Sequence, residues 1–368
     1  VIKVFMGKAE ELKRNKLEAL QFLRGLAILS VIVYHVKGYA DIVATSADTL
    51  FMYVPSILSY GAPLFFSISG FLMALLITSG YEHFLLRRFL RIYPPYIIAI
   101  FIILAIKYTI FGSIGSITGM DLVKAMTLLP FGQIPYILSI EWTLVYEIFF
   151  YFICAAFALE KFRKYFLHFL CLWGASIAII NCKYNVPVSV LPTILEIPFQ
   201  TLNFFFIFGG IAYFFYEKKR VVSQKTGFCL LMICGSLILL FYYNVFGFKV
   251  TSFSRYFVLS MLFAIFIYLV VTLDYKLPVC IEKIGDYSYG MYLIHAQILY
   301  TLLIVIKDCL NLPINTQTLT LVLCITLIVS FYFGKLENKL HNIIKRNSKN
   351  ILSAQSHIQP SDPRGLLQ

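Results

Sequence analysis

Ten stretches of about twenty mostly apolar residues recur along the chain, at 18–38, 57–78, 92–112, 138–158, 165–181, 198–215, 227–246, 255–273, 285–306 and 316–334. As a helix rising about 1.5 Å per residue, each is long enough to cross a hydrocarbon layer of roughly 30 Å. In lipid the backbone polar groups must be satisfied within each segment, and uninterrupted runs of this length do that only as helices. The expected fold is therefore all-α, a polytopic membrane helix bundle of about ten transmembrane helices. With 60% hydrophobic and 13% charged residues, a soluble domain could not hide this much apolar surface. A net charge of +13 would suggest nucleic acid in a soluble protein, but here nearly all of it falls between spans, so membrane lipids rather than nucleic acid are the expected partners. If the N-terminus is cytoplasmic, 24 of the 31 Lys and Arg lie in or beside the inside segments and seven on the other side. That asymmetry predicts a multi-pass cell membrane protein with both termini in the cytoplasm.

One membrane domain, 1–336, is expected to be the whole working unit, followed by a polar cytoplasmic tail, 337–368, that reads as disordered. The first apolar run follows a charged arm and has no small-residue cleavage site, so it reads as an anchor rather than a cleaved signal. The eight Cys are scattered singly and never as CxxC, which suggests buried, inert thiols and neither a metal site nor a disulfide framework.

Against this apolar background the ionisable residues stand out. Arg24 and His35 lie in the first span, LEALQFLRGLAILSVIVYHV, eleven residues apart, which turns a helix about three times and leaves both on one side. Ionisable groups at that depth are costly and commonly line a substrate or ion path. LLRRFLRIYPPY sets Arg87, Arg88 and Arg91 at the inner mouth of the third span, with Pro94 and Pro95 suited to a helix's first turn. These arginines read either as lipid anchors or as an anion site, where planar guanidinium forks pair with phosphate. In SIEWTLVYEIFFYF, Thr143, Glu147 and Tyr151 repeat every four residues as a polar stripe, while Glu141 lies close enough to the boundary to be solvated. In IGDYSYGMYLIHAQIL, Ser288, Tyr292 and His295 share a face, and His295 is a second intramembrane imidazole. Gly61, Ser67, Ser69 and Gly70 of GAPLFFSISGFL suit close helix contact, with Ser69 a secondary chemical candidate, although no GxSxG elbow surrounds it. His83, His168, His341 and His357 lie in loops, near a span end or in the tail and are set aside.

Taken in order, LRGLAILSVIVYH, GAPLFFSISGFL, RRFLRIYPPY, EWTLVYEIFFY and GDYSYGMYLIH resemble the acyltransferase-3 family of integral membrane O-acyltransferases, over about 17–336. The EWTLVYEIFFY form is similar to the exopolysaccharide acetyltransferase subgroup, because Ile148 rather than a second carboxylate follows Glu147. The resemblance implies transfer of an acetyl group from acetyl-CoA, as donor substrate, to a hydroxyl of a cell-envelope polysaccharide such as an O-antigen or exopolysaccharide. The bacterial inner membrane is the implied location, a glycan or lipid-linked glycan the acceptor, and no metal is implied. Carried over position by position, His35 would be catalytic as general base, and Glu147, read as catalytic from its place in the polar stripe, would orient His35 or stabilise its transient imidazolium. Arg24, Arg88 and Arg91 would bind the donor, although two residues separate Arg88 from Arg91 where well-known members have a tighter Arg-x-Arg. Ser69, Trp142, Tyr146, Tyr289 and His295 would support the site or line the substrate path. The alternative from the residues alone is a transporter, since intramembrane Arg, His and Glu also mark ion and proton pathways.

Overall fold

The computed structural model describes residues 2–43, 50–115, 117–132, 137–184, 186–218, 223–245, 247, 251–273 and 278–356, with side chains described from 18 to 41 at the start and as far as 347 at the end. Within them lie the helices α1 (Ile2–Val43), α2 (Gly61–Thr78), α3 (Phe84–Phe111), α4 (Gly119–Thr127), α5 (Glu141–Ala158) and α6 (Glu160–Arg163). The second half adds α7 (Phe166–Tyr184), α8 (Asn203–Glu217), α9 (Gln224–Tyr242), α10 (Ser252–Thr272), α11 (Val279–Ile304) and α12 (Thr316–Ser356). Nine helices among the described residues are long and apolar enough to cross a membrane. The expected tenth, 198–215, becomes α8, a helix of only 15 residues that follows a short 3-10 turn at Ile197–Phe199. It sits inside the bundle, with Phe204, Phe205 and Phe206 fully enclosed. The helix count was thus right for apolar segments, but one of them is a core helix instead of a full-length span.

Lipid tails are as apolar as leucine, so helices in a membrane gain little by hiding hydrophobic surface from one another and gain instead by close backbone approach. The main contacts follow that rule. Where α2 meets α8, a Cβ added to Gly70 would lie 2.1 Å from the Phe206 carbonyl oxygen, and one on Gly209 2.1 Å from that of Ser67. Where α1 meets α11, a Cβ on Gly285 would lie 1.8 Å from the Gln21 carbonyl oxygen. The small-residue stripe of α2 is therefore a packing surface, as its composition suggests. Around it Phe66 and Phe150 each stack on Phe206 with centroids 4.5 Å apart, which locks α2, α5 and α8 together.

Four local expectations change. Helix α3 begins at Phe84, so Pro94 and Pro95 lie inside it and not in its first turn, and Arg87, Arg88 and Arg91 ride on helix rather than on the loop before it. Glu141 is not solvated: it is fully buried, and its Oε1 accepts from the backbone N–H of Ile137 at 2.8 Å and of Leu138 at 2.5 Å. A carboxylate can stay there because it satisfies two backbone donors that lipid could not. Of the eight free thiols only Cys154 and Cys234 are buried, the other six standing on exposed helix faces. Finally, α12 does not stop where the sequence turns polar at 336 but continues to Ser356, held at Glu337 by an ion pair with Arg91. Residues 357–368 of the expected tail, with His357, lie outside the described residues.

Candidate active site

The three polar stripes read from the sequence converge on one cavity of about 110 Å³. Helix α5 contributes Thr143, Glu147 and Tyr151, helix α11 contributes Ser288, Tyr289 and Tyr292, and Ser69 comes from α2. Its charged end is formed by Arg24 of α1 with Arg88 and Arg91 of α3. Six of the expected site residues therefore meet: Arg24, Ser69, Arg88, Arg91, Glu147 and Tyr289. The four-residue spacing on α5 and the 288/292 spacing on α11 bring this about, because each puts its polar side chains on the one face that the neighbouring helices enclose.

The arginines are held by phenol rings. The Arg91 guanidinium lies 5.0 Å from the centre of the Tyr289 ring and that of Arg88 5.9 Å from Tyr151. Tyr289 in turn donates to the Ile92 carbonyl at 2.9 Å, and Tyr151 donates to Glu147, which also accepts from Ser69 at 3.3 Å. Arg91 pairs with Glu337, whose side chain is fully enclosed. Three guanidiniums facing Glu147, with Glu337 behind one of them, leave this end of the cavity net positive. Ser288 Oγ is buried in the lining without a hydrogen-bond partner.

Two imidazoles stand outside the cavity lining, beside Tyr292. His35 Nδ1 lies 3.1 Å from His295 Nε2 and 3.0 Å from the Val31 carbonyl oxygen, while His295 Nδ1 lies 2.8 Å from the Tyr292 carbonyl oxygen. A carbonyl oxygen only accepts, so in uncharged rings His295 carries its proton on Nδ1 and presents Nε2 as acceptor. His35 Nδ1 then faces two acceptors and must also be the protonated nitrogen. Its Nε2 is left as the bare basic atom, and the His35 side chain keeps part of its surface accessible. His35 does not line the cavity directly. Tyr292, which does line it, has its ring 5.4 Å from that of His295 and its hydroxyl donating to Thr143 at 3.1 Å.

Among the described residues no hydrogen bond joins Glu147 to His35; the side chain against His35 Nδ1 is His295. Glu147 instead accepts from Ser69 and Tyr151 within the cavity lining. Trp142 and Tyr146 do not line the cavity either. Both pack against Phe66, at 6.1 and 6.0 Å, and the Tyr146 hydroxyl donates to the Ser189 carbonyl at 2.7 Å. Their face of α5 is the one turned toward α2 and α8.

Sequence reasoning missed a second polar group, beside His35. The Tyr39 ring lies 6.5 Å from His35, its hydroxyl is hydrogen-bonded to Ser139, and Gln297 Nε2 donates to Ser139 Oγ at 2.6 Å. Ser139 adopts φ +68°, a left-handed conformation unusual for serine, and Gln297 Oε1 is buried without a partner. Gln297, an amide two residues after His295 in an apolar span, was the available signal; the backbone of Ser139 left none. Among the described residues, no three His, Cys, Asp or Glu stand close enough to hold a metal ion.

A multi-pass helix bundle that encloses guanidinium, carboxylate and phenol groups in one internal cavity, with an imidazole pair outside its lining, has the architecture of an integral membrane protein with a polar interior site. The acyltransferase domain family matches residues 17–335, and the chain belongs to that family. Neither a curated protein nor a solved structure matches it. The membership supports membrane O-acyltransferase activity in general.

Proposed function

We propose that the protein moves an acetyl group from cytoplasmic acetyl-CoA to a hydroxyl of a cell-envelope polysaccharide, such as an exopolysaccharide or O-antigen glycan, with His35 as general base. The observation that carries this reading is the orientation of the imidazole pair, which leaves His35 Nε2 free to take a proton on the same helix whose Arg24 lines the cationic cavity. The donor's phosphates belong at the arginine end, where paired guanidiniums suit them, with that end and both termini on the cytoplasmic side. The narrow cavity then admits the thioester arm, and Tyr292 is the side chain that must turn aside to open it onto His35.

The acceptor hydroxyl approaches from the side of Tyr39, Ser139 and Gln297 and gives its proton to His35 Nε2 as its oxygen attacks the thioester carbonyl. The carbon–sulfur bond breaks, and the departing thiolate takes the proton back from the imidazolium, so the base ends each cycle uncharged. His295 acts as a positioning residue, holding His35 Nδ1–H so that Nε2 faces outward.

The test is transfer of labelled acetyl from acetyl-CoA to a lipid-linked or polymeric glycan by the purified protein in lipid nanodiscs. Product that depends on both substrates supports the reading, and its absence with every acyl-CoA tried sinks it. In the same assay His295→Leu is expected to lower turnover about tenfold with an unchanged KM for the donor. His295→Gln, whose amide oxygen can still accept from His35, should recover most of that loss. Equal turnover in all three proteins would show that the pair does not position the base.

A further inference from the structure

The cationic end of the cavity continues into a cluster of which the reaction above uses only Arg88 and Arg91. Arg87, Arg88 and Arg91 on the first turns of α3 face His341 and Lys345 of α12 across a second cleft of about 160 Å³, with Tyr81 at its edge. The two spaces adjoin, since Arg88 and Arg91 line both. Glu337, His341 and Lys345 repeat at four-residue spacing and so share one face of α12. All three lie beyond residue 335, where the family match ends.

The cleft has the chemistry of an unfilled anion site. Nε of Arg87, Nε of Arg88 and Nδ1 of His341 are all buried and without a hydrogen-bond partner. Native proteins seldom leave such atoms unsatisfied, and three of them on side chains that line one cleft accord with a site that closes on a ligand supplying several acceptors. The cleft is lined by the cationic side chains of Arg87, Arg88, Arg91 and Lys345, and Glu337 pairs with Arg91 beside it. Tyr81, in the turn before α3, responds to that field. Burial pushes its phenol up, but the contact and charge of Arg87, with Arg88 and Lys345 acting in the same sense, outweigh this and hold it below the ordinary value for tyrosine.

We propose that the part of α12 past residue 335 is the second wall of a phosphate-binding cleft, which grips the phosphate monoester at the nucleotide end of the acyl donor. This rests on the coenzyme A reading above. A cavity of about 110 Å³ suits a thin thioester arm and not a nucleotide, so the nucleotide must stay at the cavity mouth, where this cleft lies. Guanidinium forks recognise phosphate oxygens in pairs, and the shared Arg88 and Arg91 tie the gripped phosphate to the entrance of the arm. A lipid headgroup phosphate offers the same chemistry, and the test separates the two sources.

Binding of coenzyme A and of 3′-dephospho-coenzyme A is measured on the full-length protein in zwitterionic nanodiscs, for wild type, Lys345→Glu and His341→Ala. Lys345 is exposed, so its replacement leaves the packing of α12 intact. Wild type is expected to prefer coenzyme A by about tenfold or more, and Lys345→Glu to lose about tenfold and His341→Ala several-fold in coenzyme A affinity, both binding the dephospho form as wild type does. A preference absent in wild type, or undiminished in both variants, overturns the cleft assignment and leaves the donor reading standing. If wild type binds neither form, the donor reading falls, and nanodiscs carrying phosphatidic acid decide what remains. Retention of that lipid that is lost in the variants gives the cleft to a lipid phosphate and overturns its nucleotide role, while no retention overturns the phosphate site altogether.

Discussion

His35→Ala is expected to cut acetyl transfer by about 10²- to 10⁴-fold while changing donor affinity less than twofold. The magnitude is that of removing a general base from a step in which the attacking hydroxyl must lose its proton. The selectivity follows from position. Arg24, one of the arginines proposed to hold the donor, lies about 16 Å away along the same helix, three turns from His35, Arg88 and Arg91 line the cavity with it, and His35 is not among the cavity-lining residues. Steady-state kinetics with labelled acetyl-CoA give the rate, and equilibrium binding of coenzyme A gives the affinity. A His35→Ala protein with full turnover would remove the base from the mechanism. One with lost donor binding would place His35 in the donor site instead of at the acceptor.

The second large effect concerns Arg91 and Glu337. Arg91→Ala is expected to destabilise the protein by about 3–5 kcal/mol, because it strands the Glu337 carboxylate, whose side chain is 0% exposed, without its partner. The pair does not owe its place to net stability, since desolvating two charges consumes most of what their attraction returns. Replacing both partners at once, as Arg91→Met with Glu337→Leu, should therefore restore stability to within about 1 kcal/mol of wild type. Donor affinity should stay weakened in both proteins, because the guanidinium shared by cavity and cleft is gone from each. Thermal or denaturant unfolding in detergent, run beside coenzyme A binding, separates the two roles. If the double variant regains donor binding along with stability, Arg91 is a structural residue only.

How much of this was readable in advance depends on the distance over which the physics acts. Helical periodicity is local, and it correctly grouped Thr143 with Glu147 and Tyr151, and Ser288 with Tyr292, on faces that line one cavity. The same four-residue rule would have grouped Glu337, His341 and Lys345, but the polar composition after 336 reads as tail, and composition cannot reveal that an arginine on another helix waits for a carboxylate there. Glu141 was misjudged for a related reason: proximity to a boundary suggested water, while the preceding turn folds back and offers it two amide donors. Trp142 and Tyr146 sit in a motif with functional residues, yet adjacent positions on a helix point about 100° apart, and theirs is the packing side.

From its sequence alone this chain is committed to a membrane helix bundle, because the length and apolarity of its segments leave the backbone no other way to satisfy its hydrogen bonds in lipid. The sequence also determines which side chains share a helical face. Only the tertiary structure decides which faces meet: His35 with His295 across 260 residues of chain, Arg91 with Glu337 across 246, and α8 drawn into the core instead of spanning. Those pairings are set by where glycines let two backbones touch and by which buried polar groups find partners, and both are properties of the assembled bundle rather than of any one segment.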